Sequence, residues 1–201
     1  SATGAHGASP HYKVTDESNA PILPGQLFLI DSGGQYADGT TDITRVVPIG
    51  TISDAQRRDF TIVLKGTMAL SRAKFPRGIR SPMLDAIARA PIWEAGADYG
   101  HGTGHGVGYF LNVHEGPQVI SHYAPAEPWT AMEEGMITSV EPGIYRPGKW
   151  GVRIENLVLN VPAEKTEFGD FLKFETLTLC PIDTRCLDLS LLREDERAWL
   201  N

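Results

Sequence analysis

Four acidic residues stand inside stretches that otherwise read as dry β-strands: Asp31 in "FLIDSGG", Asp42 in "TTDITRV", Glu141 in "SVEPG" and Glu155 in "RIENLVL". A buried ionised carboxylate costs several kcal/mol unless it is paired or ligates a metal, so a fold built from these strands must bring cations to the four positions. Their flanks supply mainly Arg45 and Arg153, too few to balance four negative charges. Two divalent cations would: four carboxylates and a neutral imidazole set −4 against +4. Taken singly, each acid reads as a turn residue or one half of a surface ion pair. The joint pattern, together with the histidines that follow, is what points to metal.

The stretch "YGHGTGHGVGYFLNVHEG", residues 99–116, places His101, His105 and His114 among glycines that recur at every second position from Gly100 to Gly108. Each glycine would cost a helix about 1 kcal/mol relative to alanine, so an extended segment or loop is expected and a zinc-protease helix is excluded. Alternate glycines leave one edge of such a segment bare, open to another backbone or to a ligand. An oxygen-rich donor set with a single histidine suits Mn²⁺, Co²⁺, Fe²⁺ or Zn²⁺, and the lack of thiolates argues against a structural zinc site. Paired metals of this kind activate water and polarise carbonyls, so hydrolysis is the implied chemistry. Arg153 and Glu155 lie two apart on one strand face, which places Arg153 to orient a ligand carboxylate.

The 201 residues suffice for one sizeable domain, and 18 Lys plus Arg against 25 Asp plus Glu disfavour a nucleic-acid surface and favour no membrane. Cys180 and Cys186 fit no zinc or redox spacing and read as reduced thiols in a cytosolic, cytoplasmic protein. No membrane span and no secretory leader is read, although the start at Ser1 without methionine suggests processing or excision.

Strands are expected at "QLFLIDSGG" and "TTDITRVVPIG", paired antiparallel about an Asp38-Gly39 turn. A helix capped by Ser53 and Asp54 is expected to carry apolar residues from Phe60 to Phe75. A second helix should start with Ser81 as cap and Pro82 at its first position, and end or kink at Pro91. "MITSVEPGIY", "GVRIENLVLNV" and "FLKFETLTLCPI" each read as one strand, and "SLLREDERAWL" as a short final helix. This order gives an α+β domain with a mostly antiparallel sheet. His6 and His122 are expected to be solvated, and Trp129 to be a packing or interface aromatic.

"LIDSGGQYADGTTDITRV", "HGTGHGVGYFLNVHEGP", "VEPGIY" and "GVRIEN" resemble, in order, the metal-site motifs of cytosolic-type Xaa-Pro aminopeptidases, the aminopeptidase P branch of the pita-bread metallopeptidases; "FTIVLKG" and "LTLCPID" extend the match. The resemblance implies the pita-bread (creatinase/methionine aminopeptidase-like) fold, a curved, mostly antiparallel sheet flanked by helices. It implies five metal ligands, Asp31, Asp42, His105, Glu141 and Glu155, with Asp42 and Glu155 bridging two divalent ions, manganese foremost. It further implies that Glu141 accepts a proton from the attacking water, that His114 stabilises the carbonyl oxygen, and that His11 and His101 line the substrate site.

The implied reaction is release of an N-terminal residue that precedes proline. The alternatives are a prolidase acting on Xaa-Pro dipeptides and a non-catalytic peptide-binding module. Relatives of this type carry further domains upstream, so residues 1–201 read as a catalytic domain truncated at its N-terminus, expected to ligate metal with reduced or no turnover alone and to form a homodimer when full length.

Overall fold

The two apolar segments around "QYADG" pair into a long hairpin, and the alternation along it decides where the acids go. The structure, a computed structural model, describes residues 1–200. In chain order the elements are β1 (Ala2–Thr3), β2 (Leu27–Tyr36), β3 (Gly39–Pro48), α1 (Asp54–Ser71), β4 (Lys74–Pro76), α2 (Asp85–Glu94), β5 (Gly104–His105), β6 (Val119–Ile120), β7 (Ile137–Val140), β8 (Gly143–Arg146), β9 (Trp150–Arg153), β10 (Asn156–Thr166), β11 (Gly169–Thr176) and α3 (Glu194–Trp199). β2 and β3 pair antiparallel in the register Asp31↔Thr44 and Gly33↔Asp42. With side chains alternating across the pleat, Asp31, Asp42 and Thr44 share the face whose other end holds buried Leu27, Leu29 and Val46. The turn is Ala37–Asp38, one residue before the Asp38-Gly39 pair expected from sequence.

α1 begins where the sequence indicates. The Ser53 side chain accepts from the Gln56 N–H while the Gln56 side chain accepts from the Ser53 N–H, a reciprocal cap. Its buried face, Phe60, Val63, Leu64 and Met68, packs with Ile144, Val152 and Ile154. Phe75 does not continue this helix: it lies on β4, paired beside Leu172 in a second cluster with Leu70, Leu84, Val140 and Val158. Ser81 is not a helix cap either. It starts a 3₁₀ turn, is fully buried, and its hydroxyl accepts from the Val119 N–H. α2 runs through Pro91 for three more residues to Glu94, its last turn anchored by fully buried Ile92. Among the described residues no helix is long and apolar enough to cross a membrane.

The larger correction concerns the C-terminal strands. "MITSVEPGIY" is two strands, β7 and β8, and "GVRIENLVLNV" is also two, β9 and β10. β7 pairs with β10 and β8 with β9, so Val140 faces Asn156 while Gly143 faces Arg153. The two breaks therefore lie side by side, one holding Glu141-Pro142 and the other Ile154-Glu155. Proline supplies no ladder donor at the first break, and the N–H groups of both glutamates turn to other partners: Glu141 to the Thr103 carbonyl at 2.8 Å and Glu155 to the Thr44 carbonyl at 3.1 Å. Only the first part of "FLKFETLTLCPI" is a strand, ending at Thr176. The short helix near the C-terminus is present as α3. Both cysteines are free.

Candidate metal centre

The double break, the hairpin β2–β3 and the glycine-rich segment converge on one cavity of about 260 Å³. All nine residues singled out from sequence line it: His11, Asp31, Asp42, His101, His105, His114, Glu141, Arg153 and Glu155. Gly104 explains how the histidine segment reaches the site. A Cβ there would stand 1.9 Å from the Ser139 carbonyl oxygen of β7, so only glycine permits this approach. At Gly104, then, the bare edge is filled by the chain's own backbone rather than left for a ligand.

Potential ligand atoms fall into overlapping sets, each within 4.8 Å of one another: Asp31, Asp42 and Glu155; His105, Glu141 and Glu155; and Asp42, His105 and His114. Glu155 joins the first two sets. Asp42 Oδ2 lies 3.6 Å and Glu141 Oε1 3.2 Å from His105 Nε2. His105 Nδ1 lies 2.9 Å from the Gly106 carbonyl, which accepts its N–H and leaves Nε2 aimed at the carboxylates. The hydroxyls of Thr44 and Ser139 donate to Glu155 Oε2 at 2.7 Å and to Glu141 Oε1 at 3.0 Å. Such oriented oxygen donors with one imidazole are the chemistry expected around borderline divalent ions.

Electrostatics agrees with a site short of positive charge. Burial, with Asp31 nearby, pushes Asp42 up to about 6. Burial, then the charges of Glu141 and Asp42, pushes Glu155 up to about 8. Burial alone would lower His105, but its hydrogen bond to Glu141 and that residue's charge prevail and lift it to about 9. Burial would raise Glu141, but its bond to His105 together with the charges of His105, His101 and Arg153 holds it low. His114, whose ring meets the His105 ring edge-on at 4.0 Å between centroids, is lowered by burial and by the His105 charge.

The buried cation that faces these carboxylates is Arg153. Its guanidinium donates to Asp31 Oδ2 at 2.7 Å, to the Tyr145 hydroxyl at 3.0 Å and to Thr44 Oγ1 at 3.2 Å, and reaches the Pro10 carbonyl beside His11 at 3.4 Å. Arg45 does not neutralise the acids. It bonds backbone carbonyls of Thr44, Glu155 and Cys180, and Asn156 Oδ1. Nor are all four acids dry: the Asp31 side chain is 40% exposed, at the cavity mouth.

Sequence reasoning missed Tyr145, whose hydroxyl lies 2.8 Å from His101 Nε2 and which burial pushes up to about 12. It also missed Thr44, two residues from Asp42 on the same face of β3, where alternation points to it, and Ser139, on β7 two residues before Glu141. His122 is not simply solvated, since its Nδ1 stands 2.6 Å from Oδ2 of buried Asp85. His6 is half-buried and stacks on Tyr12. Trp129 is exposed.

A curled antiparallel sheet that gathers carboxylates and histidines on its inner face, backed by helices, is the architecture of pita-bread hydrolases. The chain belongs to metallopeptidase family M24: the family's profile matches residues 1–161, and that of the family's C-terminal region matches residues 170–201. A probable Xaa-Pro aminopeptidase P of Laccaria bicolor is 49% identical over the whole chain, which covers 32% of that relative. Aminopeptidase P2 of Arabidopsis thaliana is 50% identical, with 28% of its length covered. The crystal structure of a Caenorhabditis elegans X-prolyl aminopeptidase, described as a cytosolic enzyme with a di-nuclear active site, superposes with a TM-score of 0.91 at 44% identity over 98% of this chain and 32% of that one. Pyrococcus furiosus prolidase superposes with a TM-score of 0.69 at 39% identity over 79% of this chain and 44% of the prolidase. The chain thus spans about a third of the length of the curated relatives it matches.

Proposed function

We propose that this domain is the catalytic part of a dinuclear Xaa-Pro aminopeptidase, hydrolysing the bond between an N-terminal residue and a penultimate proline. The observation that carries the reading is the shared position of Glu155 in two sets of ligand atoms within one cavity. Asp31, Asp42 and Glu155 would hold one ion, and His105, Glu141 and Glu155 the other, with Asp42 near enough to His105 to serve both. When bound, two such ions supply Lewis acidity and an acidified water, and manganese is the first to test.

The remaining work falls to the protein. Glu141, kept ionised, accepts a proton. His114, at the exposed side of the cavity, donates toward the carbonyl oxygen as charge develops there. His101 and His11 hold the peptide. Proline leaves the scissile amide without an N–H, so a site that recognises the bond by its ring and carbonyl fits this substrate better than one that grips a backbone donor. A cytosolic location and a homodimer of the full-length protein complete the proposal.

The test uses the full-length, Mn²⁺-loaded protein with a tripeptide carrying proline second and the matching Xaa-Pro dipeptide. Release of the first residue from the tripeptide supports the proposal. Cleavage of the dipeptide alone, the prolidase pattern, overturns the substrate assignment, and metal binding without cleavage of either overturns catalysis.

The same cluster sets a pH dependence. Asp42 at about 6 and Glu155 at about 8 lie above the values of unfolded carboxylates, so the metal-free fold holds protons that the unfolded chain releases. Their contribution to stability is full below about pH 4 and is lost as pH rises through 6 and 8. His105 acts with the same sign, losing its contribution from about 6.5 to 9. Divalent ions replace these protons. The gain in Tm from saturating Mn²⁺ is therefore expected to be several degrees larger at pH 8 than at pH 5.5; an equal or smaller gain at pH 8 contradicts the cluster's assignment.

A further inference from the structure

We propose that Arg89, on α2 and outside the cavity, is the positioning residue that fixes His101 for the peptide; this rests on the reading of His101 as a substrate-facing group. Arg89 is fully buried, which is unusual for a guanidinium. Its Nε donates to Asp85 Oδ2 at 2.6 Å, one turn back along α2. Every other bond leads into the segment that carries His101. Nη1 donates to Asp98 Oδ1 at 2.7 Å and to the Tyr99 carbonyl at 2.8 Å, and Nη2 to the His101 carbonyl at 2.6 Å. The guanidinium plane also lies over the Tyr99 ring, 3.8 Å from its centroid.

The segment has little to hold it otherwise. His101 sits between Gly100 and Gly102, the residues that restrict a backbone least. Its ring is fixed at one end by Tyr145 and at the other by the Gly102 carbonyl, 2.7 Å from Nδ1. Those bonds set the ring only if the backbone beneath it is already in place, and the two carbonyls that Arg89 grips are those of residues 99 and 101. Asp85 completes the brace from the far side, accepting from the Thr103 hydroxyl at 2.5 Å, while that hydroxyl also meets the Tyr99 hydroxyl. A fork that reaches two carbonyls and two carboxylates at once is a geometry lysine cannot copy.

The experiment compares Arg89→Lys with the parent, each full length and Mn²⁺-loaded, alone and combined with His101→Ala. We expect R89K to keep its metal content and lower kcat/KM for the proline tripeptide about tenfold, and to cost nothing further in the H101A background. An R89K variant as active as the parent, or one whose loss is the same with and without His101, overturns the proposal. Should R89K fail to fold, Asp98→Ala removes one exposed end of the brace; it is expected to give a two- to threefold loss that likewise vanishes with H101A, and a loss that persists there overturns it. If the parent itself cleaves no tripeptide, the functional reading falls and the positioning claim is decided by the His101 imidazole nitrogen resonances. These are expected to shift and broaden in R89K or D98A, and unchanged resonances refute it.

Discussion

Glu155→Gln is expected to raise the thermal stability of the metal-free protein while weakening its response to divalent ions. Glu155 is 2% exposed, and burial beside Glu141 and Asp42 lifts its pKa to about 8. At pH 7.5 the fold therefore carries the cost of keeping a proton that the unfolded chain gives up. Glutamine has the same shape. Its carbonyl accepts from the Thr44 hydroxyl as the carboxylate does at 2.7 Å, and its amide offers a donor to the neighbouring acids. Relief is expected to be about 2 kcal/mol, a rise of roughly 4–8 °C in the metal-free form. The same change removes the oxygen common to two sets of ligand atoms, so bound metal should fall from two equivalents to one or none. Activity should drop on the order of 10³-fold, equivalent to about 4 kcal/mol of transition-state stabilisation. Calorimetry with and without Mn²⁺, beside metal analysis, reads all three effects; a variant that still takes up two ions refutes the shared-ligand arrangement.

Arg153→Met should show the opposite signature. Methionine fills much of the volume but leaves Asp31, Tyr145 and Thr44 without their shared donor and the carboxylates without the one buried cation that faces them. Breaking a buried pair costs about 3–5 kcal/mol in general; with Asp31 40% exposed, about 3 kcal/mol is the expectation for the metal-free protein. Ions should then recover more stability in R153M than in the parent, because the repulsion they relieve is larger. Two effects oppose each other on metal uptake: losing the charge favours cations, while losing the fork lets Asp31 turn. The first keeps the site filled at saturating Mn²⁺, and the second lowers turnover roughly 10- to 100-fold. R153K should restore most of the stability and little of the turnover. A metal-free R153M as stable as the parent would sink the account.

Much of this site is legible in sequence because its chemistry is extreme. Acids such as Asp42 and Glu155 in apolar strands have few physical resolutions, and a glycine-lined histidine run is hard to place in a helix. The resemblance to Xaa-Pro aminopeptidases then orders the residues into roles, and all nine reach the same cavity. What escaped was tertiary. Pro142 hints at the break in "MITSVEPGIY", but nothing in "GVRIENLVLNV" announces one, and both breaks are held by bonds from Glu141 to Thr103 and from Glu155 to Thr44, distant in the chain. Phe75 keeps helical spacing with α1 yet belongs to β4, since its partner Leu172 lies nearly a hundred residues further on. The Asp85–His122 pair was invisible for the same reason: a loop histidine reads as solvated until the helix beneath it is known.

The side-by-side breaks at Glu141 and Glu155 also bear on how the molecule comes together. One donor oxygen arrives from each interruption, others from the β2–β3 hairpin and a nitrogen from the glycine run, so no local piece of chain can bind ions tightly by itself. Tight capture must await the docking of all these segments, and apart from the local β2–β3 hairpin they come from distant parts of the chain. Ion uptake is therefore expected to follow the docking of these segments rather than precede it.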